Sequence, residues 1–225
     1  MRHLSRLGLG WLALSLCAAG VQAAGAVLPT HYDMPNGYGV ANGGSYNYRD
    51  KAYSGSGDSS QDYALLSGGL GDLSDGVIAT QRWDLVENLE GSGPYVGWNR
   101  AEPWLISFHF AQDLVFDTIT IWYDDADGYG DISPPASFSV TVNGVTQAFA
   151  VVDPPGDAPS FSVLQLAPGL VGASLVLGVE RFNNGLMLSE VQFTATPVPE
   201  PAAWMLMGAG LALGGLLRRR LGVAA

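Results

Sequence analysis

Residues 124–131 read Asp-Asp-Ala-Asp-Gly-Tyr-Gly-Asp, a concentration of carboxylates that would suit a hard cation. The spacing does not fit an EF-hand. Counted from Asp125, position five is Tyr129 and position twelve is Ala136, where that loop needs oxygen ligands. The run therefore reads as a solvated loop between strands. His31 and His109 are the only histidines outside the two end segments, and neither sits in a paired-histidine metal motif or beside a nucleophile elbow. The single cysteine, Cys17, lies near the N-terminus within the first end segment, so the body has no thiol nucleophile, thiolate metal site or disulfide framework. No glycosidase arrangement emerges from the carboxylate spacing, and no phosphate-cradling fingerprint is present. A non-catalytic protein is expected, with a secreted hydrolase the least favoured reading.

The aromatic residues offer a different chemistry. Trp83, Tyr95, Trp98, Trp104 and Tyr129 could stack on the C–H faces of pyranose rings, or fill a β-rich core. Trp83 and Trp104 are expected inside. Tyr95 and Trp98, flanked by Gly93-Pro94 and Gly97, are expected on an exposed irregular loop, as the carbohydrate-binding pair. Between the end segments, five basic residues face twenty acidic ones, a net charge of −15. Such a body repels phosphate backbones, which excludes nucleic acid as a partner and favours cations.

The elements that must position these residues are strands. In Trp104, Ile106, Phe108 and Phe110 the apolar side chains alternate with Leu105, Ser107 and His109, and Ile119 and Ile121 are in phase farther on. Phe138, Val140 and Val142 alternate with Ser139 and Thr141, and Asn143-Gly144 supplies a hairpin turn. Segments 161–166, 174–179 and 188–194 continue the series, while Ser45 to Tyr53 carries a weaker strand signal. Proline pairs punctuate the gaps, and no stretch of the body sustains helical periodicity. About eight strands spaced by turns imply an antiparallel sandwich.

The chain divides into a signal peptide at 1–23, a Gly/Ser/Tyr-rich stretch at 24–59, a β-sandwich at 60–197 and a tail at 198–225. Arg2 and Arg6 precede an apolar run from Leu7 to Ala19, and Val21-Gln22-Ala23 suits a signal peptidase, with cleavage after Ala23. In the tail, Pro199-Glu200-Pro201 precedes sixteen uncharged residues, 202–217, which form a short membrane helix by expectation, and then Arg218, Arg219 and Arg220. This order resembles the PEP-CTERM sorting signal, a tail also known as the ice-binding protein C-terminal domain. The resemblance implies processing by an exosortase and delivery through a transient anchor to the envelope or outside, in bacteria that make exopolysaccharide and biofilm.

Within the body, Leu73-Ser74-Asp75-Gly76, Thr80, Trp83, Tyr95 to Trp98, the strand at 106–110, Pro135 and the closing Leu188 to Phe193 occur in an order that resembles the galactose-binding-like, discoidin-type jelly roll. That family implies an all-β antiparallel jelly-roll sandwich. It also implies a structural calcium held by Asp75, Thr80 and Glu190, although Val77 stands where a further polar residue is often found. The expectation is an exported protein that binds glycans or exopolysaccharide, or else a purely structural and adhesive matrix protein with no small ligand.

Overall fold

A computed structural model describes residues 23–39, 44–99 and 103–198. The leader helix, the Pro199-Glu200-Pro201 triplet, the apolar segment 202–217 and the arginine cluster lie outside the described residues. Among the described residues no helix is long and apolar enough to cross a membrane.

The strands in chain order are β1 (Gly25–Val27), β2 (His31–Pro35), β3 (Leu65–Gly69), β4 (Val96–Trp98), β5 (Trp104–Tyr123), β6 (Pro135–Val142), β7 (Val145–Ala150), β8 (Ser160–Gln165), β9 (Val171–Arg181) and β10 (Leu186–Pro197). A single helical turn, α1 (Trp83–Val86), precedes β4. Every strand pairing is antiparallel. The two alternating segments expected at 104–110 and 116–122 are one 20-residue strand, β5, with a register shift between His109 and Leu114. That irregularity lets β5 belong to both layers. Its first half pairs with β2 and β9, and its second half with β8 and β10.

One layer is therefore β3-β2-β5-β9-β6-β7. The other is β8-β5-β10, with β1 and β4 on the outer side of β10. Phe108 and Phe193 meet edge to face at 4.8 Å across the layers, and Tyr123 lies 6.2 Å from Phe138. The fold is an all-β jelly-roll sandwich. Asn143 and Gly144 both have positive φ, 48° and 78°, as the two-residue turn between β6 and β7 requires.

The structure departs from expectation in two further places. Ser45 to Tyr53 forms no strand; it packs as a loop, with Tyr48 and Tyr53 buried. The acidic loop is not uniformly solvated. Asp124 and Asp125 are buried, because they continue directly from the buried end of β5, while Asp127 and Asp131 are exposed.

Candidate functional site

At the end of the sandwich where β4 meets β10 the surface opens into a cleft of about 330 Å³. Trp83 and Tyr48 line it from a small aromatic cluster, joined by Trp98, Ile132 and Met187. Asn99, Asp131 and Asn184 bring polar groups to its rim, all three exposed. The Trp83 ring is locked edge-on against Tyr46 at 4.8 Å and Tyr48 at 5.9 Å. Its indole Nε1–H is buried and has no hydrogen-bond partner among the described residues. A buried donor left unpaired is costly.

Gly130 borders the cleft with a φ of 64°, and a Cβ there would run into the Trp83 ring. The turn that carries Asp131 can therefore lie this close to the indole only as glycine. Tyr129 beside it is 56% exposed and stacks on Trp83 at 6.0 Å, with the Arg82 guanidinium 4.5 Å above its ring. Gly185 and Met187 stand at the start of β10, and the tail leaves from the other end of this 12-residue strand. The cleft and the tail are thus about 35 Å apart along the strand.

The expectation that Tyr95 and Trp98 lie exposed on a loop is corrected. Tyr95 is 1% exposed and Trp98 2%. Trp98 ends β4 opposite Leu186, stacks on Trp104 at 5.8 Å, and donates its indole N–H to the Pro35 carbonyl at 3.0 Å. Gly97 signals close packing here, since a Cβ would lie 3.0 Å from the Cβ of Tyr48 and 3.2 Å from Met187 Cγ. The Tyr95 hydroxyl lies 3.0 Å from the Gln81 carbonyl and 3.2 Å from Asp124 Oδ1, its one hydrogen serving either acceptor. Trp98 still borders the cleft from within the core; Tyr95 does not line it. Tyr38, Tyr48, Asn99 and Asn184 were not singled out in the sequence, because no motif or alternation marks them.

The segment that carries Asp75 and Thr80 lies beside Glu190. The Gly76 N–H donates to Glu190 Oε2 at 3.1 Å, across 114 residues of sequence. The Ala79 N–H donates to Ser189 Oγ at 3.4 Å. Segment 75–80 therefore runs beside the start of β10. Glu190 is 3% exposed, and burial, with the nearby Asp75 charge adding to it, pushes its carboxyl up to about 7. Burial and the charges of Asp50 and Asp75 likewise push Asp72 up to about 8. Burial raises Glu87 to about 8 and Asp124 to about 7. Among the described residues the ion pairs join Arg49 to Asp62 and Arg82 to Asp84 and Asp157; neither they nor the His109–Asp33 hydrogen bond reaches these buried carboxyls.

Residues 30–127 match the family model of the discoidin domain-containing receptor 1/2, DS-like domain, and residues 197–220 match the PEP-CTERM protein-sorting motif. No curated protein matches the chain. Among solved structures, the chain is similar to SpGH29 at 15% identity, covering 56% of this chain and 24% of that one with a TM-score of 0.35. This chain thus spans about a quarter of SpGH29. It is also similar to GH31 CBM32-2 bound to GalNAc, at 20% identity over 61% and 93% of the two chains with a TM-score of 0.33. A third similarity is to the family 32 CBM from C. perfringens NanJ in complex with galactose, at 12% identity over 44% and 74% with a TM-score of 0.32.

Proposed function

We propose that this protein is a non-catalytic glycan-binding protein of the envelope or extracellular matrix, delivered there by exosortase after removal of its signal peptide. The cleft carries this reading: an aromatic wall of Trp83 and Tyr48 with a carboxamide and carboxylate rim. Aromatic faces pack against the apolar faces of sugars, while rim amides and carboxylates take up hydroxyls. The position of the cleft, about 35 Å along β10 from the tail, fits a body that presents its site away from the membrane while the tail is still anchored.

Asn184→Ala combined with Asp131→Ala should weaken retention of the protein in affinity electrophoresis through exopolysaccharide by about tenfold or more. Both residues are exposed, so the melting temperature should hardly change. Retention equal to wild type would remove the cleft from the reading and favour a structural, adhesive matrix protein with no small ligand.

A structural calcium held by Asp75, Thr80 and Glu190 is part of the same proposal. The donor chemistry fits, because Glu190 is a buried carboxylate with no cationic partner among the described residues. A calcium ion there would tie segment 75–80 to β10. Millimolar calcium should then raise the melting temperature by about 5–10 °C over chelator, and Asp75→Ala should abolish the difference. Identical melts in calcium and chelator would leave these residues with hydrogen-bonding roles alone.

A further inference from the structure

We infer that His31, His109 and Asp33 form a binding site for a divalent transition-metal ion of the zinc, nickel or copper class, separate from the cleft and from segment 75–80. The two histidines stand directly opposite each other in the β2–β5 ladder. Asp33, two residues along β2, shares their face, while the alternate residues Tyr32 and Phe108 point into the core. The imidazole rings lie parallel, 4.3 Å apart and 6° from coplanar. One nitrogen from each ring and one Asp33 carboxylate oxygen all lie within 4.8 Å of one another, and all three residues are half-buried. Two imidazoles and a carboxylate suit borderline ions such as zinc, nickel or copper better than calcium or magnesium.

The surrounding hydrogen bonds prepare the donors. Asp33 accepts the Gly68 N–H on Oδ1 at 2.9 Å, which leaves Oδ2 directed at His109 Nε2, 3.0 Å away. That separation matches two ligands held at right angles about 2.1 Å from one ion. Thr30 donates its only hydroxyl hydrogen to the His109 carbonyl at 3.1 Å. Its oxygen is then an acceptor toward His31 Nδ1, 3.1 Å away, so His31 carries its proton on Nδ1 and keeps the Nε2 lone pair free. A ligating histidine fixed through its other ring nitrogen is the usual outer-shell arrangement of metal sites.

Binding uses the His109 Nε2 lone pair, so the ring carries its one proton on Nδ1 in the metal-bound form and Asp33 Oδ2 turns from His109 to the ion. Half-exposed rings can close the remaining distance by side-chain rotation, with water completing the coordination. The ion would pin β2, which pairs with β5 through only three residues, to the centre of its layer.

The test uses the full chain in mild detergent, purified without a polyhistidine tag. Zinc chloride is titrated by calorimetry, and cobalt(II) binding is followed by its visible ligand-field band. Wild type should bind one zinc ion at this site and melt at a higher temperature with zinc than with chelator. His31→Gln and His109→Gln should each weaken zinc binding at least tenfold and diminish the cobalt band. Asp75→Ala should leave zinc binding unchanged, which separates this site from any calcium site. His31 lies at the half-exposed end of β2, so His31→Gln keeps the test usable even if His109→Gln folds poorly. Zinc binding of wild-type affinity in folded His31→Gln, or a zinc-independent melt in wild type, would overturn the inference.

Discussion

Trp98→Ala should lower the unfolding free energy of the body by about 3–5 kcal/mol, the cost of emptying a large aromatic site in a packed core. The indole is almost fully enclosed, it stacks on Trp104, and its N–H holds the Pro35 carbonyl at the end of β2. Truncation would therefore open a cavity and leave a backbone acceptor without its donor. Urea unfolding measures the loss. A change within about 1 kcal/mol would mean that the indole is on the surface, as its glycine-flanked sequence context suggested.

In chelator, the body should become more stable as pH falls from about 8 toward 5, by several kcal/mol and a melting shift on the order of 10 °C. Asp72 and Glu87 keep their protons up to about 8 in the folded state, and Asp124 and Glu190 up to about 7. In the unfolded chain the same groups ionise near 4. Between those values the folded state holds more protons than the unfolded, so stability falls as pH rises. The contribution is fully present below the unfolded value and is lost as pH climbs through 7–8. Asp84, held low by its hydrogen bond and ion pair with Arg82, works in the opposite sense, but only below about 4. Maximum stability in chelator should therefore lie between pH 4 and 6. A melting curve that improves steadily from pH 5 to 8 would contradict this charge arrangement.

The alternating segments of β5 and β6 were legible because each buries one face against the opposite layer, which imposes a period of two, whereas the first half of β10 is buried on both faces and β8 turns Phe161 and Val163 outward. The hairpin at Asn143-Gly144 was legible because few other pairs take positive φ at both positions. The short strands β1, β3 and β4 were not, since three to five residues give too little pattern. Trp98 was misplaced for a specific reason. Gly97 beside it marks a close approach of Tyr48 and Met187, and from sequence alone a packing glycine looks the same as a loop glycine. Burial of Asp124 and Asp125 was equally hidden, because their composition is that of a solvated loop while their position continues β5 into the core. The cleft joins residues from the loops before β4 and β6 and before β10, a juxtaposition that only the register of β4 on β10 creates. Asp75 and Glu190 were paired through family resemblance alone; spacing could not have joined them.

The most direct measurement of the glycan-binding reading is the indole region of a ¹H–¹⁵N spectrum during titration with oligosaccharides cut from the exopolysaccharide. The Trp83 ring lines the cleft, so a bound sugar should move its N–H resonance by packing against the indole. Trp122, on the outer face of β5 against Phe161, should stay still. A saturable shift of Trp83 alone or together with Trp98 is the expected result, and a spectrum unchanged at millimolar oligosaccharide would contradict it.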